Sequence, residues 1–117
     1  VYSCLYDLSA ALLEGGENVV VDATFLSRSS RAAFHELARL HGRRSTVVVC
    51  EAPAEILRQR VVQRLKSEED PSEATPAVLE RQLEVIEQTG PQEQTICVRT
   101  DQDIDIAAIV EKINSKP

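Results

Sequence analysis

Three short apolar runs, Val19-Val20-Val21, Thr46-Val47-Val48-Val49-Cys50 and Thr95-Ile96-Cys97-Val98, constrain this chain more than any other feature. They are β-branched and continuous rather than alternating, as expected of strands covered on both faces. Helical patterns separate them, so they cannot be joined as hairpins. Parallel pairing through right-handed crossovers is the remaining arrangement, and it implies a three-layer α/β sandwich.

The helical patterns have local start and stop signals. Tyr2 to Glu14 places Leu5, Leu8 and Leu12 on one side and stops at Gly15-Gly16. Ser29 or Ser30 can cap a helix carrying Phe34, Leu37 and Leu40, which ends at Gly42. Pro53 suits the first turn of a helix with Ile56, Leu57, Val61 and Leu65. Thr75-Pro76 opens another, with Val78, Leu79, Leu83 and Ile86, ending near Gly90-Pro91. A last helix is expected from about Asp103 to Asn114, acidic at its start and with Lys112 near its end, as the helix dipole favours. No repeat and no long linker divides the 117 residues, so they read as one domain, 1–117.

Composition removes several functional classes. No apolar run approaches the ~20 residues of a membrane span, and no signal peptide is visible, so the cytoplasm is the default compartment and no membrane partner is expected. Aromatic residues make up only 3% with no tryptophan, a poor basis for a base-stacking platform. Cys4, Cys50 and Cys97 form no CxxC pattern, which argues against zinc and a disulfide framework and for small core residues. His35 and His41 have no partner at metal-ligand spacing and are expected to face solvent. There is no GxSxG elbow and no GxGxxG turn, so serine hydrolase and dinucleotide readings fall away.

Charge is unevenly spread. The net charge is −6, yet Arg28 to Lys66 holds nine basic and three acidic residues, +6 against −12 for the rest. A locally positive segment in an acidic chain is compatible with an anionic ligand, or simply with solvated helix faces. Within it, Arg60 and Arg64 stand four apart on the helix after the second apolar run and share one face. Two guanidinium groups converging on one spot suit a triphosphate; pairing with Glu68, Glu69 or Glu73 is the plainer alternative. Asp22 follows the first apolar run directly, with Thr24 two residues on. In open parallel sheets ligands sit beyond the carboxyl ends of strands, where an acid can order Mg²⁺ water or accept a proton. The polar stretch Ser67 to Thr75 is either a mobile cover over such a site or a surface connection.

In order, Asn18-Val-Val-Val-Asp-Ala-Thr-Phe-Leu-Ser-Arg-Ser-Ser-Arg31, Glu51-Ala-Pro, Leu57-Arg-Gln-Arg60 with Arg64, Asp70-Pro-Ser-Glu-Ala-Thr75 and Val78-Leu-Glu-Arg-Gln-Leu83 form a combination. It resembles the C-terminal two-thirds of AAA-type P-loop kinases, the ATP-binding modules often fused to aminoglycoside-phosphotransferase-like domains. More distantly it resembles polynucleotide and gluconate kinases. The resemblance implies a P-loop NTPase-like fold and an ATP-dependent phosphotransferase using ATP and Mg²⁺. Asp22 would take the Walker-B-like place near Mg²⁺ and the phosphates, with Thr24 beside it. Arg60 and Arg64 would be lid arginines that grip ATP, Arg64 also stabilising charge on the transferring group. Arg31 would begin the helix near the acceptor side, and Asp70, Ser72 and Glu73 would belong to a lid around 64–76. The acceptor would be a small molecule or a nucleic-acid 5′ end.

The family's GxxxxGK[ST] motif is not in these 117 residues, since Gly15-Gly16 is not followed by Lys-Ser. The resemblance therefore implies a sheet without its first, P-loop strand, completed by an N-terminal segment of a longer protein or by a neighbouring copy in a homo-oligomer. The lack of any methionine, and an opening at Val1 inside a helical pattern, add to the expectation of a chain cut from something longer. The alternative function is a non-catalytic α/β remnant that serves binding or self-association.

Overall fold

The computed structural model describes residues 2–67 and 75–115. The elements run α1 (Tyr2–Glu14), α2 (Arg28–Leu40), β1 (Val47–Glu51), α3 (Ala54–Ser67), α4 (Pro76–Val85), β2 (Thr95–Arg99) and α5 (Ile106–Asn114). They divide into two compact units. Val1–Ser45 with Glu87–Glu93 make the first, and Thr46–Ile86 with Gln94–Pro117 the second.

The first unit packs α1 against α2. Both helices stop by the same device. After α1, Gly16 N–H donates to Leu13 O (3.0 Å) and Glu17 N–H to Leu12 O (3.0 Å). After α2, Gly42 N–H donates to Arg39 O (3.0 Å) and Arg43 N–H to Ala38 O (2.8 Å). This paired 5→2 and 6→1 pattern needs a left-handed residue, and Gly16 (φ 85°) and Gly42 (φ 66°) supply it. The cap of α2 is Ser27, whose Oγ accepts from Ser30 N–H at 3.2 Å. The expectation of Ser29 or Ser30 is corrected: the hydroxyl must stand three residues before the N–H it captures, and here only Ser27 does. Leu37 and Ala38 are buried on the inner side of α2.

Residues 17–22 form no strand. The expected strand at Val19-Val20-Val21 is thus corrected, and Val20 is 94% exposed. An apolar run becomes a strand only when a neighbour takes up its N–H and C=O groups, and no ladder partner stands beside it among the described residues.

The second unit holds a two-stranded parallel sheet, β1 against β2, with Val47 opposite Thr95 and Glu51 opposite Arg99. The crossover between them carries α3 and α4, which pack on each other, while α5 packs on β2. Parallel pairing of these two runs agrees with the sequence pattern, and the fold is mixed α/β. Coverage is thinner than continuous apolar runs imply: Val48, Cys50 and Cys97 are exposed. All three cysteines are exposed, which corrects the expectation of core cysteines. Among the described residues the two strands pair only with each other, which leaves an edge of each without a ladder partner.

Caps explain the helix limits. Thr75 Oγ1 accepts from Val78 N–H (3.2 Å) ahead of Pro76, as its sequence implies. Helix α4 ends at Val85 rather than near Gly90, because the chain leaves at Glu87 to bond Leu26 O (2.7 Å). Helix α5 begins at Ile106, capped by Asp105, whose carboxylate accepts from Ala108 N–H (3.0 Å). Among the described residues, no helix is long and apolar enough to cross a membrane.

Candidate functional site

The expected site residues fall in both units, Asp22 and Thr24 in the first and Arg60 and Arg64 in the second. Each half has its own geometry.

The Asp22 half is a turn with unusual backbone. Phe25 has φ 43°, the one non-glycine residue with positive φ among those described. A left-handed conformation costs a residue with a Cβ about 1–2 kcal/mol, so surrounding contacts must hold it. They are visible on both sides of the peptide. Phe25 N–H donates to Tyr2 Oη (3.0 Å), and Arg31 Nη1–H donates to Phe25 O (2.7 Å). The Tyr2 hydroxyl also lies 3.2 Å from Thr24 Oγ1. The ring of Phe25 is fixed against Tyr2 (centroids 5.2 Å) and edge-on to Phe34 (5.1 Å). Asp22 and Thr24, both exposed, therefore project from a turn braced from below.

Arg31 is the centre of that brace. Helix α2 begins at Arg28, not at Arg31 as the resemblance implies; the Arg31 side chain turns inward, and the residue is only 5% exposed. Its Nε–H donates to Glu93 Oε1 (2.8 Å) and its Nη2–H to Gln88 O (3.1 Å). Glu93 also accepts from Gly90 N–H (2.8 Å) and from His35 Nε2–H (3.0 Å). Because a carboxylate only accepts, Nε2 of His35 carries a proton, and Nδ1 faces the Ser45 hydroxyl at 2.6 Å. Burial on its own would raise the Glu93 carboxyl. The Arg31 hydrogen bond, Gly90 N–H, the His35 ring and the Arg31 charge outweigh it and bring the pKa to about 2. His35 and His41 are half-buried, not solvent-facing as expected, and His41 Nδ1–H donates to Leu37 O (3.0 Å). His35 meets Glu93 through the fold, which spacing along the sequence does not register, whereas His41 meets a carbonyl one turn back on its own helix.

The arginine half lies on α3. Arg60, Gln63, Arg64 and Ser67 line one shallow concavity of about 300 Å³. The structure thus bears out the shared face. Arg60 is anchored at the end of the sheet: Nη1–H donates to Thr100 Oγ1 (2.7 Å) and Nη2–H to Thr100 O (2.9 Å). Thr100 in turn donates its N–H to Glu51 O (2.7 Å), the last residue of β1. Ser67 Oγ–H donates to Arg64 O (2.9 Å). The Asp101 carboxyl is held below its usual range, chiefly by the Arg99 side-chain hydrogen bond with a smaller part from the Arg60 charge. A held cation beside a basic i, i+4 neighbour can receive an anion, in competition with Asp101. The expected lid residues Asp70, Ser72 and Glu73, and the alternative pairings with Glu68, Glu69 and Glu73, lie outside the described residues.

Among the described residues, no group of three or more His, Cys, Asp or Glu side chains could by itself hold a metal ion. Sequence reasoning missed the roles of Tyr2, Ser45 and Glu93. Glu93 lies 62 residues from Arg31, too far apart for any local pattern to pair them.

The chain is mixed α/β, a fold compatible with a P-loop NTPase-like domain. The family comparison agrees: a family model described as an AAA domain matches residues 1–89, and the chain belongs to that family. Searches of curated proteins and of solved structures returned no match.

Proposed function

We propose that the protein is an ATP-dependent phosphotransferase of the P-loop kinase type, with Arg60 and Arg64 as its nucleotide-gripping side chains. The observation that carries this reading is the pair of arginines on one concave face of α3, in a chain of the AAA-domain family. Arg60, fixed by Thr100, and Arg64 would hold the phosphates and offset charge on the transferred group. Asp22 would hold Mg²⁺, and Thr24 would hydrogen-bond a phosphate. One exposed carboxylate fits Mg²⁺, which commonly takes one or two carboxylates and completes its shell with water and phosphate oxygens. When bound, the ion supplies charge neutralisation of the phosphates.

In the transfer, an acceptor hydroxyl oxygen forms a bond to the γ-phosphorus. The bond from that phosphorus to the bridging oxygen breaks, ADP leaves with the electron pair, and the hydroxyl proton passes to a base from outside these 117 residues, since an Asp22 carboxylate engaged with Mg²⁺ would not be free to take it. This reading needs a glycine-rich phosphate loop and its strand from outside these 117 residues. That strand would extend the sheet of a single three-layer domain, with the 64–76 segment as lid and the cytoplasm as compartment.

Isothermal titration of Mg-ATP tests this, using the chain and a form extended by the upstream coding residues. Binding by either form, weakened at least tenfold by Arg64→Ala, is the expected result. Binding that is indifferent to both Arg60→Ala and Arg64→Ala contradicts it.

One observation favours the second reading, a binding or self-associating remnant. Helix α5 leaves Ile106 70% and Val110 48% exposed, and Ile104 just before it is 48% exposed. On that reading, sedimentation shows a stable oligomer and no nucleotide binding.

A further inference from the structure

All the aromatic residues of this chain, two tyrosines and two phenylalanines, gather in one place. Tyr2 meets Phe25, Phe25 meets Phe34, and Phe34 meets Tyr6 edge-on at 5.8 Å. The cluster lies in the first unit, and its Tyr2 hydroxyl touches Thr24. Aromatic rings massed at one point in an aromatic-poor chain, tilted or edge-on to one another, offer an apolar wall beside the proposed phosphate end. A groove of about 250 Å³ runs along this wall between α1 and α2.

Its lining has a definite chemistry. Tyr2, Ser3, Tyr6 and Asp7 come from α1, and Ser30, Ala33 and Phe34 from α2. No lysine or arginine lines it, and Asp7 is its one charged residue. Helix α1 has no basic residue at all, so nothing on its own helix neutralises Asp7. Ser30 is already committed, donating to Ser27 O at 2.8 Å. The Asp7 carboxylate and the Ser3 and Tyr6 hydroxyls stand on one α1 stripe, at spacings of three and four residues, with Asp7 exposed.

We infer that this groove is the acceptor subsite, and that the acceptor is a small hydroxylated molecule carrying an ammonium group and an apolar face: an amino alcohol rather than a nucleic-acid 5′ end. The inference rests on the phosphotransferase reading and deepens it. The ammonium is met by Asp7 and by the negative faces of the tyrosine rings. The apolar face lies on Phe34 and Tyr6, and the hydroxyl is directed along the groove toward Thr24 and Asp22. A polynucleotide needs the reverse lining, basic side chains along its phosphates, and a lone carboxylate repels it.

The test is a titration of the ¹⁵N-labelled chain followed by amide NMR. The probes are phenylethanolamine, the uncharged isostere phenylpropanol, a 5′-hydroxyl oligodeoxynucleotide and, separately, Mg-ATP. Phenylethanolamine is expected to shift the amides of Tyr2, Tyr6, Asp7 and Phe34. Phenylpropanol should bind more weakly, and the oligonucleotide should leave these amides unmoved. Asp7→Asn should lower the phenylethanolamine affinity about three- to tenfold, while its spectrum reports an intact fold and its Mg-ATP response is unchanged. Equal shifts by both small molecules, insensitivity to Asp7→Asn, or preference for the oligonucleotide overturns the inference. If Mg-ATP moves the Thr24 and Arg64 amides but the amine moves nothing, the acceptor assignment fails alone and the phosphotransferase reading stands. If the amine binds the groove and Mg-ATP binds neither this chain nor the form extended by the upstream coding residues, the phosphotransferase reading fails, and the acceptor role goes with it.

Discussion

Glu93 offers a quantitative test of the first unit. Its carboxylate, with the side chain 12% exposed, accepts from Arg31, His35 and Gly90 and is held at a pKa of about 2, against an ordinary 4.5. A carboxyl that binds protons less readily when folded adds stability in full above its unfolded value. That contribution is lost as pH falls from about 4.5 toward about 2. The interval corresponds to at most about 3 kcal/mol. Glu93→Gln keeps the shape, removes the charge and leaves Arg31 buried without its counter-ion. Urea unfolding of both proteins, followed by circular dichroism at a series of pH values from about 5.5 to about 2.5, isolates the effect because other carboxyls cancel in the difference. The wild type should be more stable by about 3 kcal/mol at the upper end, and the gap should close steadily as pH falls. A gap that stays constant through the acid range would refute the argument, since Arg31 and its neighbours would then not be holding an ionised Glu93.

Further consequences concern single elements. Gly42→Ala places a Cβ at φ 66° and should cost about 1 kcal/mol in thermal or chemical unfolding. Removing the cap of α4 by Thr75→Ala should cost about 1 kcal/mol, and Thr75→Ser much less, which comparing denaturation midpoints decides. Arg31→Met removes three side-chain hydrogen bonds and strands Glu93, so a loss of about 3–5 kcal/mol is expected. In that variant, the amide of Phe25 should lose its protection from hydrogen exchange before the α2 amides do.

How far the sequence is readable depends on the range of each interaction. Helix α1, Tyr2–Glu14, follows from its leucine spacing and Gly15-Gly16, and Thr75-Pro76 marks the start of α4, because these signals act within one turn of chain. The runs at Val47 and Thr95 become parallel strands because each finds the other. Val19-Val20-Val21 is equally β-branched but has no ladder partner among the described residues, and composition alone cannot supply one. The sequence reading places the cap of α2 at Ser29 or Ser30, whereas the backbone geometry places it at Ser27, two residues before Ser29. The shared face of Arg60 and Arg64 was legible from their spacing, whereas the anchor of Arg60 on Thr100, 40 residues away, was not. The inward turn of Arg31 depends on Glu93 and on the Phe25 carbonyl, neither of which a local pattern announces.

The proposal to test most directly is that the Asp22–Thr24 turn and the Arg60–Arg64 face both respond to Mg-ATP. Amide NMR during a single Mg-ATP titration, on whichever form of the protein binds, reads both at once. The account predicts that the Thr24 and Arg64 signals move together with one common dissociation constant, and that Arg64→Ala weakens the response at Thr24 as well. Separate constants for the two, or a Thr24 response untouched by Arg64→Ala, would contradict it.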